Sequence, residues 1–242
     1  MSNKSEHNSF ILLEVIIQII FFSNLNNYNA INLSLAESRI TIKLKSSGEQ
    51  TIINNDLIRV GGQYPDEIHI KNDTTYRIIN YTSHIINLQT NENTIIMVWN
   101  NYTANNTRNM FRGCINIIEI NLTEFNIDSK IISAGMMFYN CKSLTSVVFG
   151  KFGGSELRWI DQLFSYCSSL VYVDLSNFDT SGVTMMNRMF KGCTNLKSIN
   201  LLNFDTSQVQ NMSYMFAECS SLESLNLSNL LHQMLKICLV CL

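Results

Sequence analysis

Residues Phe178 to Cys219 read FDTSGVTMMNRMFKGCTNLKSINLLNFDTSQVQNMSYMFAEC, which holds one phrase nearly twice. A shift of 26 places lays Phe178 on Phe204, Asp179 on Asp205, Ser181 on Ser207, Val183 on Val209, Met189 on Met215, Phe190 on Phe216 and Cys193 on Cys219. A period of this length marks stacked units, none of which buries its apolar face without a neighbour. The same phase carries an aromatic ladder, Phe111, Phe138, Phe164, Phe190 and Phe216, and a cysteine ladder, Cys114, Cys141, Cys167, Cys193 and Cys219. Both are expected to be structural core. Cysteines locked to a repeat read as small buried hydrophobes rather than as a disulfide framework.

Each unit runs MFxxCxxLxxVNLxxFDxSxVxxMxx. The stretch Leu196, Ile199, Leu201 predicts a strand with Ile199 and Leu201 inward and Ser198 and Asn200 outward. Asp205 and Ser207 suit a turn, where their oxygens accept free backbone N–H groups. Val209, Met212, Met215 and Phe216 fall at i, i+3, i+6 and i+7, the spacing of one face of a short helix. The expected architecture is therefore an α/β leucine-rich-repeat solenoid, with short parallel strands on a concave side, short helices on the convex side, and a small β-rich head in front. The methionine stripe reads as core packing, since Leu and Ile replace it in the earlier copies.

Four segments follow. Residues 1–36 carry a polar start and the apolar run FILLEVIIQIIFF from Phe10 to Phe22, then small residues to Ala36. This predicts a secretory signal and leader, the run being too short to span a bilayer. Residues 37–98 show strict alternation instead of the repeat: Ile40, Ile42 and Leu44 on one face, with Thr41, Lys43 and Lys45 on the other. Ser46 to Glu49 reads as a turn, and Glu67–Lys71 and Thr94–Trp99 as further strands of a head that covers the first repeat. Residues 99–229 are the repeats, Trp99 taking the aromatic slot filled later by Phe125, Phe152, Phe178 and Phe204.

In residues 230–242 the repeat gives way to LLHQMLKICLVCL. One choice of codons for this tail, read from the third base, yields TSNVKDMSCMF, the missing half-repeat. A frameshift that cut short a longer array is one expectation, and an amphipathic cap is another. An uncapped last coil would invite end-to-end association.

The phrases FDTSxVxxMxxMFxxC and SSLxSLNLSN resemble the BspA-like leucine-rich repeat surface proteins. That resemblance implies a secreted or surface-anchored solenoid used for adhesion or protein contact, and no catalytic residues. The outward strand positions are the candidate binding set: Glu119, Asn121, Tyr172, Asp174, Ser198, Asn200, Ser224 and Asn226, with Ser146 and Val148 between them. They suit an unspecified protein or glycan ligand. A net charge of -2 leaves no basic field for nucleic acid. No metal or cofactor is expected, because Cys238 and Cys241 have only His232 nearby and no second pair. An enzyme sited in the head would rest on Asp66, Glu67, His69 and His84, which form no recognisable catalytic pattern. Sequons at Asn72, Asn80, Asn101, Asn105, Asn121, Asn211 and Asn226 would take glycans on a eukaryotic secretory route.

Overall fold

In the computed structural model, the described residues are 37–57, 62–71, 76–80 (backbone only), 85–88, 90–100, 103–125 and 130–225. They belong to one compact unit, Glu37–Leu242. The expected leader, the tail, His84 and Asn226 lie outside them.

The described residues of the head form six strands: β1 (Ser38–Leu44), β2 (Gly48–Thr51), β3 (Glu67–Lys71), β4 (Tyr76–Asn80), β5 (Ile85–Leu88) and β6 (Asn93–Trp99). Alternation decides their facing: Ile40, Ile42 and Leu44 on β1 and Ile95 and Met97 on β6 are at most 1% exposed. The turn expected at Ser46 to Glu49 is shorter than that, since β2 starts at Gly48 and pairs antiparallel with β5.

The repeats contribute β7 (Ile117–Leu122), β8 (Ser146–Phe149), β9 (Phe152–Gly153), β10 (Phe178–Asp179), β11 (Ser198–Ile199) and β12 (Ser224–Leu225). The first two join the head in one mixed sheet of order β4-β3-β6-β1-β7-β8. Within it β1 runs antiparallel to both β6 and β7, while β7 and β8 are parallel. The head is thus hydrogen-bonded onto the first coil as well as packed against it.

The helices expected on the far side of each coil are absent among the described residues. Val209 and Met212 lie in irregular chain on either side of the Asn211 bridge and Met215 and Phe216 in a run of turns, so the fold is not an α/β solenoid with convex helices but a mostly β structure of stacked coils. The reason is where the amides go. In the second coil Met137, Tyr139 and Cys141 donate to carbonyls three residues back, whereas Met136, Phe138 and Asn140 donate to Asp161, Leu163 and Ser165 of the next coil, at 2.9, 3.0 and 2.8 Å. A helix would keep all of these bonds within the segment. Here every second one crosses between coils, and the third and fourth coils repeat the scheme.

The alternation requires two left-handed residues per coil, four places apart. They are Asn109 and Gly113, Met136 and Asn140, Gln162 and Tyr166, Arg188 and Gly192, Tyr214 and Glu218, with φ between 55 and 74°. Most are not glycine, so each such residue carries a conformational cost of about 1–2 kcal/mol. The bonds between coils offset it.

Inside, Phe111, Phe138, Phe164, Phe190 and Phe216 stack in series with centroids 5.9, 5.1, 5.4 and 5.6 Å apart. All five are at most 1% exposed. A second column runs through Phe152, Phe178 and Phe204, with Trp99 edge-on to Phe125 at its head end. Phe149 wedges between the two columns, edge-on to Phe138, Phe152, Phe164 and Phe178. Replacing Phe190 with Ala removes the ring between Phe164 and Phe216 and is expected to cost on the order of 3–5 kcal/mol. Thermal unfolding followed by circular dichroism should show the midpoint fall, and an unchanged midpoint would sink the ladder's role in stability.

Candidate functional site

The cysteines of the repeat do more than fill space. The Cys141, Cys167, Cys193 and Cys219 thiols each donate to the carbonyl of the ladder Phe one coil earlier: Phe111, Phe138, Phe164 and Phe190, at 3.0 to 3.1 Å. The Phe111 carbonyl also accepts the Cys114 N–H, and the pattern recurs, so one oxygen serves two coils. All five cysteines are buried. Burial pushes the Cys141 thiol up to about 12 and raises those of Cys114, Cys167 and Cys193, which keeps them protonated at neutral pH. These residues hold the stack together and offer no nucleophile.

The strand face carries the candidate binding set, and the structure divides it. Alternation places Val147 and Phe149, then Val173 and Leu175, inward, leaving Ser146 and Val148, then Tyr172 and Asp174, outward. Parallel register sets Glu119 beside Ser146, Asn121 beside Val148, Val148 beside Asp174, and Ser198 beside Ser224. Four of the candidates are already engaged. Glu119 pairs with Lys43 of β1 at 2.6 Å. Asn121, Asp174 and Asn200 each turn a side-chain oxygen back to accept the N–H two residues on, from Thr123, Ser176 and Leu202, at 2.8, 2.9 and 3.0 Å. Such Asx turns end the strand and start the bend. Tyr172, 51% exposed, and Val148, 44% exposed, are the large groups left outward, with Ser198 and Ser224 exposed in the same column as Tyr172.

Asp179 and Asp205 act as the turn residues expected, accepting the N–H of Ser181 and Ser207 at 2.9 and 2.8 Å. The threonine between them was not foreseen. Thr180 is 1% exposed; its hydroxyl donates to the Asp205 carbonyl and accepts the Asp205 N–H, clamping one coil to the next. Its recurrence at Thr206 in the same phase was the available signal. A further clamp spans three coils: Arg108 makes two bonds to the Asp161 carboxylate, at 2.9 and 3.1 Å, across Gly135. Any Cβ at Gly135 would collide with both groups.

In the head, His69 bonds Glu67 at 2.9 Å, and the Asp66 carboxylate accepts the Asn100 N–H at 2.8 Å. Among the described residues no three His, Cys, Asp or Glu side chains are grouped to hold a metal ion. No helix of the described residues is long and apolar enough to cross a membrane.

Together these features define a class: a repeat protein of parallel, turn-rich β coils, stacked on aromatic and thiol ladders and joined through a mixed sheet to a β-rich head. The chain belongs to the family described as Mycoplasma protein of unknown function, DUF285, whose model matches residues 68–168 and again 137–236. No curated protein and no solved structure matches the chain.

The turns on the strand side titrate. Hydrogen bonds from Ser207, first its N–H and then its hydroxyl, hold the Asp205 carboxyl below its usual 3.8, and Ser176 does the same for Asp174. Because the folded value is depressed, the stabilisation is present above 3.8 and lost as pH falls through the folded value. Asp205→Asn keeps an acceptor but removes the titration. Chemical denaturation as a function of pH should therefore show a shallower loss of stability below pH 3.8 in this variant than in the parent, and identical acid limbs would refute the assignment.

Proposed function

We propose that the chain is a non-enzymatic binding protein, secreted or held at the cell surface, whose strand face takes up a protein or glycan in adhesion. The observation that carries this reading is the pair Tyr172 and Val148. Both stand outward at 51% and 44% exposure in a face whose other described candidate side chains are short hydroxyls, are tied into turns or, at Glu119, are paired with Lys43. An aromatic ring with a polar tip is a favoured anchor in interfaces, because it supplies area at little entropic cost. Around it the Ser198 and Ser224 hydroxyls and the Asp174 carboxylate, held ionised by Ser176, offer hydrogen bonds to hydroxyl or amide groups.

The resemblance to BspA-like surface proteins agrees with this reading. The stack also leaves the outward column of Ser146, Tyr172, Ser198 and Ser224 free to vary, since the ladders that hold the coils face inward and the Asx turns lie in the neighbouring column.

Binding of the labelled full chain to intact cells, compared after periodate and after protease treatment, separates a glycan ligand from a protein one. Tyr172→Ala should weaken that binding by roughly tenfold or more, as loss of an interface anchor does, with the melting temperature unchanged. Equal binding by the variant, or no cell binding by the parent chain, would overturn the reading.

A further inference from the structure

The turn side of the stack carries mostly one sign of charge. Its segments 107–116, 134–143, 160–169, 186–195 and 212–221 hold five basic residues, Arg108, Arg112, Lys142, Arg188 and Lys191, against two acidic ones, Asp161 and Glu218, in a chain whose net charge is -2. Both acids are taken up in ion pairs, Asp161 with Arg108 at 2.9 Å and Glu218 with Lys191 at 3.1 Å. Among the described residues no carboxylate pairs with Arg112, Lys142 or Arg188.

Tyrosines hold these cations in place. Arg112 lies over the Tyr139 ring at 5.2 Å, Tyr139 meets Tyr166 of the next coil edge-on at 5.6 Å, and Lys191 lies over Tyr166 at 5.8 Å. The row runs through four consecutive coils, and Arg188 repeats the contact over Tyr214 of the fifth, at 5.5 Å. The stack does not require these side chains, since Ser165 in the third coil and Ala217 in the fifth stand where Arg112, Tyr139 and Lys191 stand in the others. Gly192 makes room for the row. Asn140, Tyr166 and Glu218 occupy its place in other coils with the same positive φ, so the backbone does not demand glycine there, but a Cβ would come within 2.5 Å of the Tyr166 ring. A cation held over a ring keeps N–H groups for an anion, and being fixed beforehand it loses little side-chain freedom on binding.

We propose that this row is a binding strip for an acidic polysaccharide laid along the stack, whose carboxylate or sulfate groups pair with Arg112, Lys142, Arg188 and Lys191. It is a site separate from the strand face. Charge complementarity selects an anion, and the spread of the cations selects a polymer. Neighbouring coils lie about 4.8 Å apart, so cations on the first, second and fourth coils cover about 15 Å of the stack, which suits repeated charges on a linear chain rather than one small ion. An extended acidic peptide would need main-chain partners. The amides of these turns are already donated, alternately to the next coil and to carbonyls three residues back.

Heparin and polygalacturonate, a sulfated and a carboxylated polymer, are the probes, with neutral dextran as reference and fluorescence anisotropy of the labelled polymer as the readout on the full chain. One or both acidic polymers should bind and dextran should not, and the tighter of the two identifies the acid group. Affinity should fall roughly tenfold or more between about 50 and 200 mM salt. Lys142→Glu with Arg188→Glu should weaken binding by roughly tenfold or more. Lys142→Glu alone, at an exposed side chain, should act in the same direction with the melting temperature unchanged. Lys151→Glu with Lys197→Glu, an equal change of charge at exposed positions elsewhere, should leave binding within about twofold, as should Tyr172→Ala. Absence of binding to both acidic polymers would overturn the proposal. So would an equal loss in the Lys151 and Lys197 variant or in Tyr172→Ala, or binding of duplex DNA, polyglutamate or phosphatidylserine vesicles as tight as that of the polysaccharide.

Discussion

The fold rests on the amides that leave their own coil. On the turn side, every second N–H of a coil is donated to the coil that follows, and the Phe carbonyls of the ladder accept the thiol of that same following coil. No coil can satisfy its backbone alone, and a buried amide without an acceptor costs about 1–3 kcal/mol. Three consequences follow together. The left-handed residues recur in phase because they turn alternate amides outward along the stack. The cysteines recur because a thiol is small enough for the core and still donates. The first coil needs special treatment, and Asn54 provides it by donating to the Met110 and Arg112 carbonyls, which no earlier coil reaches.

Much of the interior was legible in the sequence, and for a simple reason: apolar position is periodic even when backbone path is not. The phase of Phe111 through Phe216 and of the cysteines named the core residues, and the alternation of Ile40, Ile42 and Leu44 named the buried face of β1. The helix was misread because Val209, Met212, Met215 and Phe216 satisfy two geometries at once. A helix and a chain of turns with left-handed residues at Tyr214 and Glu218 both bring those four side chains inward. Nothing in the residue types separates them, since Met136, Gln162 and Arg188 are not residues that announce a positive φ. Only bonding between coils decides, and that is a property of neighbours rather than of the segment. The same limit explains why Thr180 and the Arg108–Asp161 clamp went unread: each is defined by a partner one or two periods away.

The candidate site was legible in position but not in role. Reading outward strand residues as a set gives eight equivalent candidates, and the structure removes that equivalence. Glu119 is drawn toward the head by Lys43, and Asn121, Asp174 and Asn200 sit where each strand must end and bend. An Asx residue at that point stabilises the coil whether or not anything binds, so its recurrence along the array is explained without a ligand. Tyr172 has no such explanation, because the equivalent positions in the neighbouring coils are Ser146 and Ser198, and the stack is complete with a serine there. A bulky aromatic half exposed at a position that the fold fills with a small hydroxyl elsewhere adds apolar surface to water without adding to the core. That mismatch between what the coil requires and what the third coil carries is the physical ground on which the strand face, rather than the ladders or the head, is the place to look for a partner.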